Sequence, residues 1–284
     1  MIRRACAIGF LVMALFIGTV WAEEKCDGLY GEGDHTFSLA TGSPGELGIL
    51  KELAEAFSKE TKTKLCWTKA GSGQSLKLLQ DKKVDMIMVH APAAEKKAIA
   101  DGWAANRKLI GSNEFYIVGP ANDPAKIGEA KTAADAYSKI AGSQAKFFSR
   151  GDSSGTHKKE MDIWKKAAID PQGPWYVVTK DFMTATLKRA NQENGYFMTD
   201  SSTWAAEKQN LPNLKILFRG DPYLVNTYHT LSQPEGATPG QKWAVRFIEF
   251  VASDKGQKIL SDFGKDKHGE GLYNDANYAK QYDK

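Results

Sequence analysis

The feature that most constrains this chain is a layout met three times: a short apolar strand, a turn rich in Gly and hydroxyl residues, then the start of a helix. The best-marked copy runs from Phe147 to Ala167, FFSRGDSSGTHKKEMDIWKKA, where Arg150 and the run Gly151 to Thr156 separate the strand from the helix. A second copy places Ala40-Thr41-Gly42-Ser43-Pro44 between a strand at 35–39 and apolar residues at 47, 50, 53, 54 and 57, a helical spacing. A third places Ala70-Gly71-Ser72-Gly73-Gln74-Ser75 between the strand 64–69 and a helix over 76–82. Strands alternating with helices predict parallel α/β sheets with right-handed crossovers. Ligands of such sheets bind at the carboxyl ends of the strands, where all three turns fall.

The chemistry of these turns points to a small anion. The first N–H groups of a helix have no intrahelical acceptor, and the helix dipole makes that end positive. Arg150, always charged and able to donate in a fork, strengthens such a site. Ser43 also suits the cap of the helix that follows it. A fourth hydroxyl-bearing helix start lies near Thr184 and Thr186. A charge-assisted hydrogen bond contributes about 1.5–3 kcal/mol net, whereas nanomolar binding needs about 12 kcal/mol. One Arg is therefore insufficient, and several helix starts must converge.

Other function classes find less support. The chain has no Walker A sequence and no GxGxxG, and its five histidines form neither an HExxH nor a close His/Cys pair, so no metal or cofactor is expected. Ser154 and His157 would suit a hydrolase, but the GxSxG elbow is absent, so no catalytic residue is expected. His90, at the end of the strand 84–90, reads as structural. The formal net charge of +4 falls to +2 without residues 1–22, which carry Arg3 and Arg4 and no acid, so nothing suggests a nucleic-acid partner.

Residues 1–22 read as a secretory signal peptide: a basic start, the uncharged apolar run Ala5 to Val20, and small residues before a cut after Ala22. This predicts an exported chain, with no lasting membrane insertion once the leader is gone. Cys26 and Cys66 remain, and an even pair in an oxidising compartment predicts a disulfide worth roughly 4 kcal/mol in the chain-entropy model. The polar tail after Lys265 is expected to pack loosely.

The segments SRGDSSGTHKKEMDIWKKA, VDMIMVHAPAAEKKAIADGWAANR, NEFYIVGPANDP, KAGSGQSLKLL and ILFRGDPYLVNTY resemble the tungstate-binding periplasmic proteins of ABC transporters over about His35 to Leu231. The resemblance implies a type II periplasmic binding fold, two α/β lobes joined by two crossover strands. Lobe one would be 23–115 plus 222–284, and lobe two 116–221. The strand EFYIVGP and the stretch from Arg219 to Tyr228 would be the crossovers. It implies a monomeric periplasmic protein that carries a small oxyanion, of the tungstate or molybdate type, to an ABC permease. Arg150 and Thr156, with Ser154 and Gly155 between them, would bind from lobe two. Ser72 and Gly73 would bind from the Gly-Ser-Gly turn, and Thr184 is a looser candidate. Where the family reads Thr-Thr-Thr-Ser, this chain reads Ala40-Thr41-Gly42-Ser43. That leaves Thr41 and Ser43 as the hydroxyls of the first turn and keeps open a different small solute, an organic one included.

Overall fold

The computed structural model describes residues 26–283, so the expected signal peptide lies outside the described residues. The first lobe opens with β1 (Gly28–Tyr30), β2 (His35–Thr41), β3 (Thr63–Lys69) and β4 (Met86–Val89), interleaved with α1 (Ser43–Leu47), α2 (Ile49–Thr61), α3 (Ser72–Gln80) and α4 (Pro92–Ala100). The chain then crosses through β5 (Ala105–Pro120). The second lobe carries α5 (Ala133–Ser143), β6 (Phe147–Ser149), α6 (Gly155–Lys166), β7 (Tyr176–Val178), α7 (Met183–Gln192), β8 (Tyr196–Asp200), α8 (Ser201–Glu207) and β9 (Leu214–Phe218). The return is β10 (Val225–Ser232), and α9 (Gln241–Ala252), α10 (Asp254–Asp262), α11 (Lys265–His268), β11 (Asn274–Asp275) and α12 (Ala276–Ala279) finish the first lobe.

One sheet has the order β1-β3-β2-β4-β10-β5. The other is built on the far end of β5, which pairs with β9 and with β8, and continues through β6 to β7. The strands carrying the Gly and hydroxyl turns are parallel, β2 with β3 and β4, and β6 with β7 and β8. The sheets as wholes are mixed rather than parallel. The crossing strands β5 and β10 run antiparallel to each other, and each is antiparallel to its neighbour in a parallel set.

Two hydrophobic regions match the two sheets. Phe147, Trp164, Tyr137, Ile163 and Phe197 centre the core of the second lobe. Phe37, Leu50, Phe57, Phe247 and Val251 centre one core of the first, with Leu79, Ile87 and Val89 on the other face of its sheet. The apolar stripes of α2 and α9 pack on that sheet as their spacing requires.

Two sequence expectations change. The strand read at 114–119 begins at Ala105, nine residues earlier, because its first part, ANRKLIGSN, is polar and was not legible as a strand. The polar residues are used there. Asn113 Nδ2 donates to Ser202 Oγ at 2.8 Å, and Asn226 Nδ2 donates to Asn113 Oδ1 at 2.9 Å, tying the two crossing strands to the second lobe. The tail does not pack loosely either. Leu272 and Tyr273 are buried, β11 pairs with β5, and Asp283 reaches Arg107 and the buried His229 at 3.4 and 3.2 Å. Cys26 and Cys66 form the expected disulfide, with Cα atoms 5.3 Å apart.

Candidate functional site

The turns converge in the cleft between the lobes. There they enclose a cavity lined by Thr41, Gly42, Ser43, Pro44, Gly71, Ser72, Met88, His90 and Tyr228 from the first lobe, and by Arg150, Ser154 and Phe182 from the second. Its volume is only about 10 Å³, roughly what a single water needs. The lobes are therefore closed down tightly on it. A larger groove of about 760 Å³ lies between α2 and α10, where Lys51, Lys255 and Lys258 each pair with a neighbouring carboxylate.

Closure depends on the glycines of the turns. A Cβ at Gly73 would stand 2.6 Å from the Ser153 carbonyl oxygen, and one at Gly155 would stand 2.4 Å from Cε1 of His90. Both contacts cross the cleft, and both are closer than a side chain permits. These two glycines therefore permit the close approach of the two lobes' backbones.

Arg150 is 4% exposed and held by Asp152, whose Oδ2 accepts from Nε at 3.1 Å and from Nη2 at 2.6 Å. The other oxygen of Asp152 accepts from the Ser154 amide at 3.1 Å. This pairing fixes the guanidinium at the end of β6 and leaves part of its fork to face the cavity. Ser154 caps α6 by accepting from the His157 amide, so its hydroxyl proton remains free to donate.

Ser72 is the first residue of α3, its Oγ 3.3 Å from the His90 amide, which donates to it. Thr41 lines the cavity, but its hydroxyl donates to the Met88 carbonyl at 2.8 Å and so has no proton left for an anion. Ser43 is the first residue of α1 instead of its cap. Gly42 holds the cap position without a side-chain bond, which leaves the Ser43 hydroxyl available. Thr156 is buried and is not among the lining residues, its Oγ1 without a hydrogen-bond partner among the described residues. Thr184 lies in the first turn of α7 and is not part of the lining, and Thr186 is taken up by Thr179 at 2.9 Å. The residue of that helix start which reaches the cavity is Phe182.

The Ser154–His157 arrangement is a helix cap. His157 Nδ1 accepts from the Ser153 amide at 3.0 Å and the contact to Ser154 is through the backbone, so no general base is aimed at the hydroxyl.

Sequence reasoning missed His90 as a site residue. Its ring lies 5.0 Å from that of Tyr228 and 6.1 Å from that of Phe115. Its Nδ1 is buried without a partner among the described residues. Burial above all, and then the Arg150 charge, pushes its pKa down to about 3 against an opposing hydrogen bond with Asn226, so the imidazole is neutral at pH 7. Its position at the end of a parallel strand, like the other site turns, was the signal available in the sequence. Below the site, Glu160 of α6 accepts from Tyr176 Oη at 2.6 Å and from Trp164 Nε1 at 3.2 Å, and burial raises its pKa to about 7. Among the described residues there is no group of three or more His, Cys, Asp or Glu that could hold a metal ion, and no helix long and apolar enough to cross a membrane.

Comparison with known proteins places this architecture. Residues 31–255 match the PBP superfamily domain. The tungstate-binding protein TupA of Peptoclostridium acidaminophilum is 34% identical over 237 residues, covering 82% of each chain. A crystal structure of the tungstate ABC transporter from Geobacter sulfurreducens is 39% identical, with a TM-score of 0.73, over 82% of this chain and all of that one. The tungstate-binding protein TupA of Desulfovibrio alaskensis G20 is 37% identical with a TM-score of 0.70, over 85% of this chain and 99% of that one. The chain therefore belongs to the PBP superfamily, among its TupA-like solute-binding proteins.

Proposed function

We propose that this protein is a periplasmic solute-binding protein that captures a tungstate-type oxyanion between its lobes and delivers it to an ABC permease. The observation that carries the reading is the closed, polar cavity in which the buried Arg150 meets helix starts from both lobes. The names of the relatives support the ligand class and the transporter. Lobe one is taken as 23–115 plus 222–284 and lobe two as 116–221, in line with the two hydrophobic regions. Arg150, Ser154, Ser43 and Ser72 are the donors, with the helix-start amides. Thr41, Gly73 and Gly155 shape the cavity, and Thr156 and Thr184 are not among its lining residues. The binding event is lobe closure around the anion, without bond making. The protein works as an exported monomer, its leader removed near Ala22.

The test is elemental analysis of ligand co-purified with the mature protein, followed by calorimetric titration of the stripped protein with sodium tungstate, molybdate and sulfate. One-to-one binding of tungstate or molybdate at nanomolar affinity is expected. An organic molecule in the native sample, with no heat from any of the three anions, would overturn the reading.

A further inference from the structure

Helix α7 begins with an unusual residue. The N-cap position favours Ser, Thr, Asp or Asn, whose side chain satisfies a free amide. Here the position is held by Phe182, with no side-chain cap hydrogen bond, although Asp181 stands immediately before it. A local rule broken in this way marks a position chosen for something other than helix stability. The Phe182 ring lines the cavity. Two cations approach it, one from each lobe. Arg150 Cζ lies 5.5 Å from the ring centroid, and Lys69 Nζ, at the end of β3, lies 4.3 Å from it. Lys69 is steadied on its own lobe by Glu46, with Nζ 2.7 Å from Oε1. Each distance is within the range at which an ammonium or guanidinium is drawn to an aromatic face.

We propose that Phe182 is the gate of the cavity, a ring on the second lobe that is drawn to Lys69 of the first when the lobes close and that sets how fast a bound anion leaves. This rests on the anion reading of the cavity. The ring does not touch the anion chemistry as a donor. It covers Arg150 from water, and the interaction between a guanidinium and an anion strengthens as water is excluded. It links the lobes only where they are closed, so its loss depletes the closed fraction of the ligand-free protein and speeds departure of a bound anion, with little effect on arrival.

The test measures association and dissociation of sodium tungstate by rapid mixing, in wild type and in Phe182→Ala, Phe182→Tyr and Lys69→Gln. For Phe182→Ala the dissociation rate rises about tenfold while the association rate changes less than threefold, and Phe182→Tyr restores the slow rate. Lys69→Gln raises it about threefold, and adding it to Phe182→Ala has no further effect. A dissociation rate for Phe182→Ala within twofold of wild type, or effects of the two substitutions that multiply, would overturn the gate. A second readout needs no ligand. Spin labels at Lys51→Cys and Lys146→Cys, one on each lobe, report the separation of the lobes. The two cysteines among the described residues are already paired, so labelling is confined to the introduced sites. In Phe182→Ala the ligand-free distance shifts to longer values, and an unchanged distribution overturns the proposal. If wild type binds none of the three oxyanions, the functional reading fails, and the label distance still decides whether Phe182 holds the lobes together.

Discussion

Gly155, at the start of α6, and His90, at the end of β4, meet across the cleft so closely that a Cβ on Gly155 would stand 2.4 Å from His90 Cε1 and 2.5 Å from its Nδ1. The closed state therefore needs a hydrogen at that position. Gly155→Ala leaves each lobe able to fold but holds the lobes apart, since the methyl has to displace a ring enclosed by Tyr228 and Phe115. The affinity for tungstate falls at least about 100-fold, the size of a 2.8 kcal/mol penalty, while the melting temperature of the ligand-free protein moves by only a few degrees. Paired calorimetry and thermal melts check this, and retained affinity would show that the lobes close elsewhere.

The same contact makes binding sensitive to pH. In the closed state the pKa of His90 is pushed down to about 3, whereas an imidazole exposed in an open cleft titrates near its ordinary value of about 6.5. The closed form thus binds fewer protons. Its stability is complete above about pH 6.5 and is lost as pH falls toward 3. Arg150 and Lys159 oppose the imidazolium, and Asp152 favours it. A bound anion itself favours the imidazolium and offsets part of this, so affinity for sulfate or tungstate is expected to fall below about pH 6.5 by less than about tenfold per pH unit. His90→Gln removes this slope, whatever it does to affinity at pH 8. Titrations from pH 5 to 8 on both proteins are the measurement, and a flat wild-type profile would refute the linkage.

The disulfide acts on a different property. Cys26 and Cys66 join the first described residue to the middle of β3, closing a loop with a sequence separation of 40. In the chain-entropy model that is worth roughly 4 kcal/mol. For a chain of this size it corresponds to a drop in melting temperature of about 10 °C in a Cys26→Ser/Cys66→Ser protein. Neither residue lines the cavity, so tungstate affinity stays within about threefold of wild type. A large loss of affinity would mean that the bridge positions Trp67, whose Nε1 donates to the Thr41 carbonyl at 3.0 Å.

Much of this was legible in the chain, and what was not has a physical reason. The turns at Thr41, Ser72 and Arg150 stood out because helix starts and strand ends have their own residue chemistry. The first half of β5 did not, because its polar residues bond to β10, α4, α8 and the tail and leave no apolar alternation to read. Thr41 and Ser43 were read as a pair of ligand hydroxyls, but only the geometry shows that one proton is given to Met88 and the other is free. His90 and Phe182 were missed because each belongs to a site only once the second lobe is brought against the first. The buried tail escaped notice for a similar reason. Tyr273 packs against Tyr228 at 5.9 Å between ring centroids, a contact that no local pattern encodes.

Arg150 is the residue on which the anion reading turns most sharply. Its guanidinium gives Nε and one Nη2 hydrogen to a single oxygen of Asp152, and the rest of the fork stays available. A Lys at this position offers one compact charge and cannot hold Asp152 and an anion in the same fixed geometry. Arg150→Lys is therefore expected to weaken tungstate binding about 100-fold, at the upper end of what a charge-assisted hydrogen bond contributes. Arg150→Ala goes further. It removes the cation and leaves the Asp152 carboxylate beside the cavity without its partner, so a divalent anion meets a like charge. No binding is expected, and a drop of a few degrees in melting temperature reports the lost ion pair. Adding Asp152→Asn to Arg150→Ala removes the repulsion without restoring the donor, so weak, millimolar binding returns. If the double variant binds no better than Arg150→Ala, Asp152 has no influence on the anion and its pairing serves only to place the guanidinium.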